Sequence, residues 1–175
     1  MGIFTFTARV HALMYEKSNI EYRLMKLTKK MQALQQYSSL IANGGVSIGE
    51  LLSAPGMAMG RTLNYLAWAH NNSVLYMQQN APQAISWYQN QMGNTQNAQS
   101  MQKMQNWIMT KLYEQGREKA MQIETRNLKV EEDRLAQEKE RLTAQGTAVE
   151  AELKAAREGR DAAIKDMAPK YTFNA

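Results

Sequence analysis

The sequence predicts an all-α protein, an elongated helical hairpin or bundle in which long heptad-patterned first and last helices flank shorter, interrupted ones. Three observations predict it. Good helix formers such as Ala, Gln, Met, Leu, Glu and Lys dominate, while Gly and Pro together supply only 13 of 175 residues, too few turn residues for a sandwich or barrel. Apolar residues recur every seven positions near both ends of the chain. The length suits one structural unit or a few long helices rather than a multidomain enzyme.

The first helix is expected from about Phe6 to Ile41. Phe6, Leu13, Ile20, Leu27, Leu34 and Ile41 form a seven-residue series, and Val10, Leu24 and Met31 stand four residues beyond three of them, which is the spacing of a seam for a partner helix. Lys17 and Ser38 interrupt the second row, so contact is expected to loosen there or Lys17 to lay its stem along the seam. Asn43-Gly44-Gly45 should end the helix, because Asn and Gly accept the left-handed backbone of a C-terminal cap.

The middle of the chain reads as one or two shorter helices interrupted at Pro55-Gly56, Pro82 and Gly93-Asn94. Ser47 could cap a brief helix with Glu50 three residues on. Met59, Leu63, Leu66, His70, Val74 and Met77 then follow helical spacing. Gly56 and Gly60 have the spacing of a close helix approach, a weak signal outside an apolar membrane segment. Gly44-Gly45-Val46-Ser47-Ile48-Gly49 lacks the Lys-Ser/Thr of a phosphate loop and any preceding strand, so a plain turn is expected.

The last helix is expected from about Met101 to Met167, ended by Pro169. Met121, Leu128, Leu135, Leu142, Val149, Ala156 and Ala163 keep an unbroken seven-residue series. The row between them is mostly polar, which predicts a thin contact line rather than a broad core. Gly116, Gly146 and Gly159 should each weaken the helix by roughly 1 kcal/mol relative to Ala, and a bend at one of them is expected. The predicted intramolecular seam therefore joins Leu13, Ile20, Leu24, Leu27, Met31 and Leu34 to Leu128, Leu135, Leu142 and Val149. The tail Lys170-Tyr171-Thr172-Phe173-Asn174-Ala175 repeats the aromatic-Thr-aromatic alternation of Phe4-Thr5-Phe6, so the two ends could pair as short strands or dock onto neighbours. Four segments result: 1–43, a heptad helix with a short leader; 44–102, a largely uncharged helical interaction region rich in Gln, Asn, Met and aromatic residues; 103–168, the long charged last helix; and the aromatic tail 169–175.

Charge is distributed unevenly. Residues 1–61 carry seven Lys/Arg against three Glu, residues 62–102 carry no charge, and residues 103–175 carry fourteen positive groups against thirteen negative. Forty-one uncharged residues make an odd solvent surface, yet their many Asn and Gln make them too polar for a continuous core. A surface that packs on another protein reconciles both facts, since interface centres are poor in charge and rich in Trp, Tyr and Met. The expected interface residues are Tyr65, Trp68, Tyr76, Met77, Trp87, Tyr88 and Met92. The competing reading is a flexible Gln/Asn-rich connector over Gln89 to Gln105, against which Trp68, Trp87 and Trp107 count, because disordered segments are poor in such residues.

Chemistry is poorly provided for. The chain has no Cys, which excludes a disulfide scaffold, thiolate zinc sites, iron–sulfur centres and a cysteine nucleophile. His11 and His70 have no partner set of acid–base or metal geometry. Glu131, Glu132 and Asp133 diverge around a helix with no His nearby. The reading is no enzyme, no cofactor and no metal. Arg23, Lys26 and Lys30, with Lys29 alongside, could touch phosphate, but no nucleic-acid motif accompanies them and Glu16 and Glu21 dilute the field. No signal peptide or membrane span is read from the chain, so synthesis as a soluble cytoplasmic protein is expected, with any export by a route that reads no cleavable signal.

In its organisation the chain resembles the axial proteins of bacterial flagella and type III secretion needles. The Phe6-to-Ile41 and Met121-to-Ala163 seams carry the resemblance, covering a little under half the sequence. The uncharged centre and the Pro169-to-Ala175 tail depart from the flagellin pattern. The resemblance implies end helices paired in an α-helical hairpin or bundle and a subunit that polymerises. The functional expectation is a structural subunit of a filament, tube or sheath, its partners copies of itself and in some settings a second structural or export protein. The alternative is a cytoplasmic coiled-coil adaptor or secretion-associated chaperone that binds a different protein.

Overall fold

The computed structural model describes residues 2–42, 56–92 and 98–167, with the side chains of Met57 and Met92 outside that description. It is all-α: helix α1 spans Ile3–Ala42, α2 spans Gly56–Met92 and α3 spans Ala98–Met167. The chain divides into two compact units, unit 1 formed by 1–31 with 133–175 and unit 2 by 32–132.

In unit 1 the amino-terminal part of α1 packs antiparallel on the carboxy-terminal part of α3. Val10, Leu13 and Ile20 meet Val149, Leu153 and Ala156 in one buried cluster, with Leu24 half-buried against it. Ile20 also lies beside Gly146, and the Phe6 ring lies over Gly159. Leu27, Leu135 and Leu142 are buried as well, and Met31 is half-buried. Ion pairs run along the edges of this line, Arg9 with Glu152 and Lys17 with Glu150 at 2.8 Å. Lys17 is half-buried, so its stem covers the seam while its ammonium reaches out to the carboxylate. That hydrogen bond, with the accompanying charge attraction, holds the Glu150 carboxyl below its usual range and the Lys17 ammonium above its own. The pair is solvent-exposed and screened, so it fixes alignment more than it adds stability.

Unit 2 joins the end of α1, all of α2 and the beginning of α3. Its interior is unusual in being lined on α2 by small residues: Ala58, Thr62, Ala69, Ser73 and Ala81 are buried. Gly116 and Ala120 of α3 are buried too, and Ser73 lies directly against Gly116. The buried hydroxyls are satisfied within the helix, Thr62 donating to the Ala58 carbonyl at 2.8 Å and Ser73 to the Ala69 carbonyl at 2.6 Å, so close packing here leaves no unpaired donor.

Several expectations are corrected. Pro82 does not divide the middle segment, because α2 runs through it for 37 residues. Pro82 and Gln78 are both exposed, so water can serve the carbonyl that the proline leaves without an amide partner. Phe4-Thr5-Phe6 belongs to α1 rather than to a strand. As expected, glycines 116, 146 and 159 all lie inside the last helix, α3. The inward line of α2 falls one residue before the predicted stripe: Leu63 and His70 are exposed, whereas Thr62 and Ala69 are buried. Gly56 and Gly60 face open space, with no atom within 4 Å of where a Cβ would stand. The Ser47-capped brief helix, the stop at Asn43-Gly44-Gly45, the turn over 44–49, the break at Gly93-Asn94 and the tail lie outside the described residues.

Candidate assembly surface

Unit 2 is tied by one polar cluster that draws on all three helices. Tyr37 of α1 is buried and its hydroxyl donates to Glu124 of α3 at 2.7 Å. Arg61 of α2 donates to Glu131 at 2.7 Å and to Glu124 at 3.4 Å, and its guanidinium carbon lies 4.6 Å from the Tyr37 ring centre. Burial works to lower the Arg61 pKa, but the hydrogen bond to Glu131 and the charges of Glu131 and Glu124 outweigh it and leave it raised. Arg61 is the last charge before the neutral stretch, and it is held in this cluster rather than offered on the surface that follows.

The same cluster makes an alkaline prediction. Burial, reinforced by the hydrogen bond to Glu124, pushes the Tyr37 phenol above its ordinary value of 10.0. The folded state therefore favours the neutral phenol, and this contribution is complete below pH 10 and lost as pH rises through the raised value. Urea denaturation across pH 9–12 should show wild type losing stability more steeply above pH 10 than Tyr37→Phe. Parallel curves would mean that Tyr37 ionises as readily in the folded chain as in the unfolded one.

With small residues turned inward, α2 carries its large ones outward. Trp68 is 39% exposed, Leu75 52% and Trp87 63%. Trp68 and Leu75 are seven residues apart on one line. With Asn72, Tyr76 and Gln79 they border a groove of about 260 Å³, completed from α3 by Gly116, Lys119, Ala120 and Ile123. The Lys119 ammonium sits 4.2 Å from the Tyr76 ring centre, leaving Trp68, Leu75 and Ile123 as its exposed apolar rim.

The predicted interface residues thus divide. Trp68 and Trp87 are exposed; Tyr65, Tyr76, Met77 and Tyr88 are half-buried. Tyr65 stands edge-on to Tyr37 with ring centres 6.4 Å apart, so it belongs at least partly to the unit's own packing, and burial raises its phenol pKa. The Met92 side chain lies outside the described residues. Leu75, Ile123 and Trp107 were not singled out for the interface, yet all three are exposed. The seven-residue interval from Trp68 could have drawn attention to Leu75, whereas Ile123 joins the groove only through the approach of α3.

No known protein family, curated protein or solved structure matches this chain. The surface must be read from its own chemistry. Among the described residues no helix is long and apolar enough to cross a membrane, and no three His, Asp or Glu side chains are grouped to hold a metal ion. His70 is exposed and its Nδ1 lies 2.8 Å from the Tyr113 hydroxyl, a pairing that links α2 to α3. His11 is exposed.

Proposed function

We propose that this chain is a structural subunit that assembles with copies of itself into a helical filament, tube or sheath, using the neutral outer face of α2 as a contact surface. The supporting observation is the inversion of size on α2: alanine, serine and threonine fill the inside, while Trp68, Leu75 and Trp87 stand outside on a helix with no charge after Arg61. Fully burying one large apolar side chain is worth ~1.5–3 kcal/mol, so a few such residues covered by a neighbour supply a substantial drive to associate. Absence of charge from the covered area avoids the cost of stranding an unpaired ion. A contact between two different surfaces that does not close produces an open polymer without any catalytic step.

The test is direct. Purified chain examined by light scattering and negative-stain microscopy should form large assemblies as concentration rises. The double variant Trp68→Asp/Trp87→Asp should remain small while keeping its helical circular dichroism. Monomers throughout a wide concentration and salt range would overturn the proposal. A defined small oligomer that retains one different protein would support the adaptor or chaperone alternative instead.

A further inference from the structure

Helix α1 carries a second seven-residue series, on the side turned away from α3. Phe4, Ala8, His11, Tyr15, Ser18, Tyr22 and Met25 follow one another in steps of four and three, so they keep to one line along the helix. At ~100° per residue that line lies about half a turn from the Val10–Leu13–Ile20 face. Every member is exposed, Phe4 at 86%, Tyr15 at 77% and Tyr22 at 51%. A helix with two opposed heptad faces has geometry for two partner helices, and unit 1 supplies one.

The opposite surface of the same unit has the complementary relief. Ala144, Ala148, Ala151, Ala155 and Ala162 of α3 share the four-and-three spacing and are all exposed, on the side away from Leu142, Val149 and Leu153. Large side chains on one line and alanines on the other match as knobs and holes. Charge selects the same pairing. Residues 3–31 of α1 hold six cations against two carboxylates, with no acid before Glu16. Two α1 helices face to face would set Lys26 and Lys29, which lie on or beside the outer line, against their own copies if parallel, or against acid-free sequence if antiparallel. Residues 133–167 of α3 instead hold eight carboxylates among seven cations, and two of the carboxylates fall on the alanine line itself, Glu140 four residues before Ala144 and Glu158 between Ala155 and Ala162.

We infer that the aromatic outer face of α1 docks on the alanine-lined outer face of α3 in a second copy of this chain. The inference rests on the self-assembly reading and gives it a second contact, separate from α2. Because the two faces differ, each added copy leaves one of each kind open, and the contact propagates.

The chain contains no Cys, so single introduced thiols report without background. Full-length Tyr15→Cys, at the middle of its line, and Ala148→Cys, one step from the middle of its own, are mixed in equal amounts, assembled and oxidised, one of them carrying a mass tag. Disulfide formation needs Cα atoms within ~7 Å, so the mixed cross-link should dominate both like-with-like products. Adding Ala151→Trp to the Ala148→Cys chain should remove the mixed product by filling the line, with helical circular dichroism unchanged. Assemblies visible by microscopy without a dominant mixed product, or a mixed product indifferent to Ala151→Trp, overturn this contact and leave self-assembly standing. Mixtures that stay monomeric overturn both.

Discussion

Replacing Gly116 with leucine is expected to destabilise unit 2 by about 3 kcal/mol, the upper part of the range for overpacking a close contact. A Cβ at this position would stand 2.7 Å from the Ser73 Cα, 3.2 Å from its Cβ and 3.3 Å from its carbonyl oxygen. Two of those atoms are backbone, and no rotamer change moves them. The Ser73 hydroxyl is bonded to the Ala69 carbonyl and its side chain is buried. The helices must therefore separate, which loosens the small-residue contact along α2. Gly146 provides the contrast, since its Cβ would meet only the Ile20 Cγ2 at 3.5 Å, an ordinary contact. Gly146→Ala should consequently raise stability by about 0.5–1 kcal/mol by removing glycine's excess freedom within a helix. Urea denaturation followed by circular dichroism, in dilute solution, measures both. A Gly116→Leu chain as stable as wild type would show that α2 and α3 do not approach this closely.

Leu13→Ala should cost about 3 kcal/mol, within the ~2–5 kcal/mol typical of buried leucine truncation. Leu13 is buried within the cluster formed with Val149, Leu153 and Ala156. That contact line is narrow, bordered by Arg9 and Lys17 with their carboxylate partners. Few apolar neighbours are available to move into the space left behind. Tyr15→Ala, two residues away on the outer side, should change the stability of the isolated chain by no more than about 0.5 kcal/mol. The difference between these two substitutions separates the face that folds the chain from the face assigned to a neighbour. Equal losses would place Tyr15 in the subunit's own core.

Seven-residue spacing was enough to pick out Leu13, Ile20, Leu27, Leu34, Leu128, Leu135, Leu142 and Val149, all of which are buried. Large apolar side chains repeating in helical register announce an inward face whatever the partner. The same rule misled on α2, where it favoured Leu63 and His70 over Thr62 and Ala69. Small residues contribute little to any hydrophobic periodicity, yet they alone permit the approach seen between Ser73 and Gly116. Pro82 misled for a related reason: its local cost is visible in the sequence, whereas the solvent position of the affected carbonyl is not. Of the candidate assembly surface, the absence of charge and the presence of Trp68 and Trp87 were legible, while the groove with Ile123 was not.

Helix content, the long terminal helices with their heptad lines and the neutral stretch follow from the order of residues alone, because backbone propensity and side-chain period act over a few turns. Which glycine is a contact and which merely a weak point, which side of α2 faces inward, and where Arg61 directs its charge were decided by tertiary packing. Those properties depend on the distance to residues remote in sequence, such as Ser73 from Gly116 and Arg61 from Glu131, and no local period encodes that distance.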